Sequence, residues 1–336
     1  MEKPMRKLVT IEKIEEVLAI DGADKIEKVR VKGWWVVARK GEFQVGDLCV
    51  FHEIDSFLPI TPTYEFLLKG SPTKTMLVDG EDVKGIRLRT IKLRGQISQG
   101  LVLPVTEILI GLEVGTDVSS TLGVIKFEPQ IPANLSGQVK GTFPAFIPKT
   151  DEERIQNMSD VLSGFYVTEK LDGTSVTFFK EDGVFGVCSR NLELADSDVT
   201  QWQIARALGL VEALPDNIAL QGELVGEGIQ KNPLKIKGQK VFIYSAFNIA
   251  TGEHLPFAGL KEICKSLNLE TVPIIDENFT LPATVDEMLK YADGMSMLNP
   301  AVAREGVVVR SKGDMTYNGH RLSFKAISNQ FLLSEE

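Results

Sequence analysis

Between Lys126 and Thr150 the chain reads KFEPQIPANLSGQVKGTFPAFIPKT, with prolines at 129, 132, 144 and 148. Each proline removes a backbone donor and fixes φ, so this stretch can be neither a helix nor a central strand. It therefore divides the chain. The expected organisation is a front domain over residues 1–122, an ordered proline-rich linker over 123–150 and a second domain over 151–336.

In front of it lie short segments rich in Val, Ile and aromatics, namely KIEKVRVKGWWVVARKG, DLCVFHEID, KGIRLRTIKLRG and GLVLPV. Gly41, the Val45-Gly46-Asp47 turn and the DGED stretch separate them, the pattern of a small barrel or sandwich. Lys84, Arg87, Arg89, Lys92 and Arg94 fall in one run that holds no acid. On a regular strand Arg87 and Arg89 share a face. The parity then flips near Thr90, which predicts a bulge or bend. These charges are either a polyanion-binding patch or a solvated sheet edge.

Behind the prolines the periodicity becomes mixed. SVTFFK and VFGVCSR flank Glu181-Asp182-Gly183, a hairpin signal. Val199, Trp202, Ala205 and Leu208 recur at helical spacing through SDVTQWQIARALGLVEAL. IALQGELVG, KVFIYSAFNI and REGVVVRS read as strands. FAGLKEICKSLNL and TVDEMLKYAD read as helices, the second opened by a Thr284/Glu287 capping box. The end of the linker, FPAFIPKTDEERIQN, mixes aromatics with Lys149, Arg154 and Gln156 and reads as an ordered, docked segment. The fold class is thus α+β.

The apolar fraction of 43% suits a protein with real cores, and no apolar run is long enough to span a bilayer. The beginning, MEKPMRKLVTIEKIEE, turns charged too soon for a signal peptide. Cys49, Cys188 and Cys264 form no disulfide framework or zinc pattern, so a reducing, cytoplasmic setting is expected. His52, His254 and His320 are equally scattered, which argues against a histidine-based site. The net charge of −9 falls wholly behind residue 126, since residues 1–126 hold 18 basic and 18 acidic side chains.

What remains is a series of polar residues at strand ends: Lys170 before Asp172-Gly173, Arg190 after the hairpin, Glu223, Phe247, Glu305 before Gly306, and Lys325. Singly, each has an ordinary structural explanation. In order, EKLDGT, SRN, GELVGEGIQK, AFNI, REGVVVR and LSFKAIS resemble the motifs of the covalent nucleotidyltransferases, the superfamily of ATP-dependent RNA and DNA ligases and mRNA capping enzymes. The front half, through DGADKIEKVRVKGWWVV, GEFQVGDLCVFHEID and KLRGQISQGLVLP, is similar to the amino-terminal domain of one RNA ligase branch. Only eleven residues follow Lys325, too few for the OB domain that ends typical DNA ligases and capping enzymes.

The resemblance implies a small amino-terminal β-barrel (OB-like) domain and a mixed antiparallel-sheet nucleotidyltransferase (ATP-grasp-like ligase) domain. It implies ATP as substrate, Mg²⁺ or Mn²⁺, and RNA ends or a nicked duplex with an RNA 3′-OH as partner. No membrane partner and a monomeric state are expected. Lys170 would be the nucleophile, Arg190 and Glu223 ribose contacts, and Phe247 and Val307 the two faces around adenine. Glu305 would bind the metal directly or through water, Asp172 the metal's waters or the RNA end, and Lys325 the α-phosphate. Glu169 is carried over as an ATP contact, and Lys149 and Arg154 are candidates for the pyrophosphate end. Lys84, Arg87, Arg89, Lys92 and Arg94 would contact RNA. Two departures stand out: Ser323 occupies the first position of a usual Lys-x-Lys, and Asn248 follows Phe247 where Asp is commoner. Lys312 or a lysine of KNPLKIKGQK is the expected substitute for the first. A DNA ligase, a GTP-using capping enzyme and a non-catalytic nucleic-acid-binding relative are the alternatives.

Overall fold

The computed structural model describes residues 7–78, 81–127, 138–149, 152–155, 164–313, 316–317 and 320–334. The chain forms two units, Met1–Ile131 and Pro132–Glu335.

The front unit is almost entirely β. Strands β1 (Val9–Lys13), β5 (Leu48–His52) and β11 (Leu101–Pro104) make one antiparallel sheet, and β2 (Glu16–Ala19), β3 (Ile26–Val31) and β4 (Trp34–Arg39) a second. A third runs β12 (Ile125–Lys126), β6 (Ser56–Pro59), β8 (Glu81–Arg87), β7 (Lys74–Val78), and β9 (Thr90–Leu93) pairs with β10 (Gln96–Gln99). Alternation places Val29, Val31, Trp34, Val36 and Ala38 inward on one core with Phe51 and Val102. A second core gathers Val9, Ile11, Leu58 and Ile86.

The basic run is not one bulged strand. β8 ends at Arg87 and β9 starts at Thr90. Arg94 (φ 49°) and Gly95 (φ 83°) then make the two-residue turn into β10, both in the left-handed region such a turn requires. Arg87 is spent inside the unit: its guanidinium lies 2.7 Å from Asp55 and 4.9 Å from the Phe127 ring centroid. Lys84, Arg89, Lys92 and Arg94 are exposed.

The proline-rich segment belongs to both units at its ends. β12 pairs with β6 in front, and β13 (Val139–Thr142) pairs with β18 (Leu192–Leu194) behind. The prolines at 129 and 132, and Gln156, lie outside the described residues.

The second unit holds two sheets. The larger runs β13, β18, β17 (Val184–Cys188), β16 (Thr174–Glu181), β19 (Ile218–Gly226), β20 (Gln239–Asn248) and β21 (Glu253–His254), with β22 (Glu270–Thr271) parallel to β20. The smaller runs β14 (Glu153–Arg154), β27 (Ser323–Ile327), β24 (Gly306–Ser311), β15 (Phe165–Lys170) and β23 (Ile274–Phe279). A short hairpin pairs β25 (Thr316–Tyr317) with β26 (His320–Arg321). Helices α1 (Thr200–Ala207), α2 (Leu210–Ala213) and α3 (Phe257–Ser266) cover the larger sheet's apolar face, and α4 (Val285–Ala292) covers the smaller sheet's. The chain closes on α5 (Asn329–Ser334). The Thr284/Glu287 capping box is formed. The helical spacing through SDVTQWQIARALGLVEAL is realised as two helices, with Gly209, at a φ of 66°, between them.

Candidate active site

Lys-Leu-Asp-Gly is where the chain leaves one sheet for the other. β15 ends at Lys170 in the smaller sheet and β16 starts at Thr174 in the larger. Leu171 anchors the crossing in a cluster with Val225, Leu234, Phe242 and Val272. Gly173 lets the backbones touch, because a Cβ there would lie 2.4 Å from the Leu224 carbonyl oxygen and 2.7 Å from Val225. That close approach brings Glu223, on β19 opposite Ser175, to the lysine.

Lys170 pairs in register with Gly306 on β24, so Glu305 stands beside it, and Lys170 Nζ lies 2.5 Å from Glu305 Oε1. Burial pulls the lysine's pKa down, but Glu305, Glu223 and Asp172 outweigh it and the net direction is upward. Burial likewise pushes the Glu223 carboxyl up to about 8; Lys170 opposes this, and Glu305 and Asp172 add to it. These three acidic side chains favour the ammonium form of Lys170.

This oxygen-only donor set fits Mg²⁺ or Mn²⁺, and the Oε2 of Glu305 is buried with no hydrogen-bond partner. Among the described residues no three His, Cys, Asp or Glu side chains close into a cage of their own. A cation would take one or two carboxylates from the protein and its remaining ligands from phosphate and water, as Mg²⁺ commonly does.

Partners across paired strands share a face. Val308 stands opposite Thr168 on one side and Lys325 on the other, so Lys325 shares the sheet face of Lys170. Val307 does not. It is fully buried on the opposite face among Phe165, Met288 and Phe324, and Val308 is the valine on the face of Lys170. Glu169 also faces away from Lys170. Its buried carboxylate, with a pKa raised by burial, accepts a 2.7 Å hydrogen bond from the Met297 amide, so it holds the 295–299 loop and its side chain is not directed toward Lys170.

Phe247, near the end of β20, is buried with Ile147, Phe179, Cys188 and Ala219, and its ring meets His254 edge-on at 5.1 Å. The linker's end docks here: Gln221 Nε2 donates to the Pro148 carbonyl at 2.7 Å, and Lys149 Nζ to Asn191 Oδ1 at 3.1 Å. Arg190 is exposed beside that asparagine, on a turn closed by the Ser189 amide bonding the Leu192 carbonyl. Arg154 is buried on β14, opposite Lys325.

Two features escaped the sequence reading. Tyr244 is an extra residue in β20, because Gln221 pairs with Ser245 and Gly222 with Ile243. Such bulges re-aim side chains next to active sites. Arg310 is a buried guanidinium on the Lys170 face, donating to Thr168 Oγ1 and Glu152 Oε1, both at 3.2 Å, and lying 5.5 Å from the Tyr244 ring centroid. It stands opposite Ser323, whose Oγ is buried without a partner. Of the lysines expected to substitute there, Lys312 bonds Asn278 at 2.6 Å, and Lys231, Lys235, Lys237 and Lys240 are exposed.

Comparison with known proteins gives the family. A family model for an OB-fold domain matches residues 8–105, and one for RNA ligase matches residues 163–327. No curated protein matches. Among solved structures, a Naegleria gruberi RNA ligase variant with ATP and Mn is 41% identical, with a TM-score of 0.87 over 98% of this chain and 99% of that one. The RNA ligase of the same organism with PPi is 41% identical, with a TM-score of 0.86 over 98% of each chain. A further variant with AMP and Mn is 40% identical, with a TM-score of 0.87 over 98% and 99%. With an OB-fold domain matched in front and an RNA ligase domain matched behind, this chain belongs to the RNA ligase family.

Proposed function

We propose that this protein joins RNA 3′-OH ends to 5′-phosphate ends at the expense of ATP, and that Lys170 is the residue that carries AMP. The supporting observation is the convergence of Lys170, Glu305, Glu223 and Asp172 at one sheet crossing. In the first step the Lys170 amine attacks the α-phosphorus. A P–N bond forms, and the P–O bond to pyrophosphate breaks. AMP next moves from Lys170 to an RNA 5′-phosphate, and a 3′-OH then displaces it. Each transfer calls for in-line positioning and charge neutralisation more than for a dedicated acid–base pair.

Lys170 must lose its proton before it attacks, and its acidic neighbours favour keeping it. Glu305, with Asp172 beside the crossing, would hold a divalent ion that supplies positive charge against the phosphate oxygens and the ammonium. Lys325 is a point charge for the α-phosphate on the same face. Phe247 and Val308 enclose adenine, while Arg190 and Glu223 donate to and accept from the ribose hydroxyls. Lys149 serves the outer phosphates. The front unit positions RNA, and the protein works as a monomer in a reducing compartment. No described helix is long and apolar enough to cross a membrane.

The test is a set of nicked duplexes that differ only in whether the strand ending in the 3′-OH is RNA or DNA, each supplied with ATP and Mn²⁺. Sealing is expected for the RNA 3′-OH, with an RNA-adenylate visible at early times. Sealing of DNA ends alone, or GTP in place of ATP as the nucleotide used, would overturn the reading.

A further inference from the structure

The front unit carries a second basic face, separate from the Lys84–Arg94 run. Residues 25–41 hold six cations, Lys25, Lys28, Arg30, Lys32, Arg39 and Lys40, against one acid, Glu27. Glu27 turns inward, is buried, and accepts from the Gly41 amide at 2.8 Å. The alternation that buries Val29, Trp34, Val36 and Ala38 turns Lys28 and Arg30 of β3, and Trp35 and Arg39 of β4, to the other side. Register sets them together, with Arg30 opposite Trp35, Lys28 opposite Val37 and Ile26 opposite Arg39.

Trp35 organises this face. Lys28 Nζ lies 4.7 Å and Arg30 Cζ 5.3 Å from its ring centroid. Cations stacked on an indole keep their charge while losing rotamer freedom in advance of binding. Two cations are partly answered: Arg30 by Glu16 at 3.4 Å and Glu15 at 3.9 Å, and Lys32 by Glu12 at 3.3 Å. Lys28 and Arg39 have no ion pair among the described residues. The exposed β9–β10 hairpin, with Lys92 and Arg94, adjoins the same strand, since the Val37 amide donates to Ser98 Oγ at 2.9 Å.

We propose that the outward face of β3 and β4 binds the phosphate backbone of the RNA to be sealed, with Lys28, Arg30 and Arg39 as phosphate contacts and Trp35 holding the first two in place. This rests on the RNA ligase reading and adds to it the surface that receives the substrate. Charge complementarity carries it: two cations held on Trp35, with Arg39 on the same sheet face, match a polyanion, and nothing in this make-up reads base identity.

The test uses the full-length protein and a nicked RNA duplex bearing a 5′-phosphate, with affinity followed by fluorescence anisotropy at several salt concentrations. Lys28→Glu combined with Arg39→Glu should weaken binding at least tenfold and flatten the log–log salt dependence by about two units, close to one per lost contact. Trp35→Leu should weaken it several-fold, and Trp35→Phe less. Self-adenylylation, which needs no RNA, reports that the catalytic unit is intact. If the double variant adenylylates normally yet binds RNA with wild-type affinity and salt slope, the surface is wrong. It is equally wrong if Lys92→Glu with Arg94→Glu removes binding and the double variant does not. If the wild type seals no RNA at all, it is the underlying ligase reading that fails.

Discussion

Lys170 Nζ and Glu305 Oε1 lie 2.5 Å apart, across two strands whose register sets Lys170 against Gly306. The pair is made by the sheet, not by a loop. Lys170 closes β15, Glu305 precedes β24, and hydrogen bonds between those strands fix the distance.

Glu305→Gln keeps the shape of the side chain and removes its charge. Self-adenylylation should fall about 10²- to 10³-fold, the loss typical when one preorganised electrostatic contact to a transition state is deleted. The rate of AMP transfer from labelled ATP at fixed Mn²⁺ measures it. A wild-type rate would remove Glu305 from the site.

Gly173→Ala should uncouple the two sheets locally. Its new Cβ would sit 2.4 Å from the Leu224 carbonyl, so the crossing must shift. Overpacking of this kind costs about 1–3 kcal/mol, and a displacement near 1 Å at a reacting group costs roughly 100-fold in rate. Thermal melting and adenylylation should both drop. Unchanged adenylylation would show that the approach of β19 does not set the lysine.

Phe247→Leu preserves much of the buried volume and loses the aromatic face. Stacking on a base is worth about 1–3 kcal/mol, so the KM for ATP in adenylylation should rise roughly 5- to 100-fold at nearly constant kcat. An unaltered KM would mean that adenine binds elsewhere.

Much of this site was legible before any coordinates, because its motifs are local. Lys-x-Asp-Gly, the hairpin at Asp182-Gly183 and the capping box at Thr284 each declare themselves within a few residues. What stayed hidden depends on pairing across the chain. Val307 and Val308 differ by one position in an apolar run that is buried on both faces, so only the register with Thr168 and Lys325 tells which faces the lysine. Arg310 at a strand end reads as a surface charge until Glu152, 158 residues away in sequence, is found beside it. The period-two spacing of Lys28, Arg30 and Lys32 is local, but only the register that sets Arg30 against Trp35 shows Lys28 and Arg30 gathered on one ring.

His52 gives a pH dependence in the front unit. It is fully buried, its Nε2 lies 2.9 Å from Tyr64 Oη, and burial lowers its pKa to about 4. An exposed histidine takes up its proton near ~6.5. Between those values the unfolded chain binds more protons than the folded one, so this contribution to stability is lost as pH falls, by about 2 kcal/mol at pH ~5. Urea unfolding of wild type and His52→Leu at pH ~7.5 and ~5 should show the wild type losing that much more than the variant. Equal losses would contradict a neutral, buried imidazole.

The central claim is that Lys170 carries AMP. A short incubation with ATP labelled at the α-phosphate and Mn²⁺, quenched in acid, tests it most directly. The account predicts acid-stable label on the wild-type chain, released by pyrophosphate, and none on Lys170→Ala. An unlabelled wild type, or equal labelling of Lys170→Ala, would contradict it.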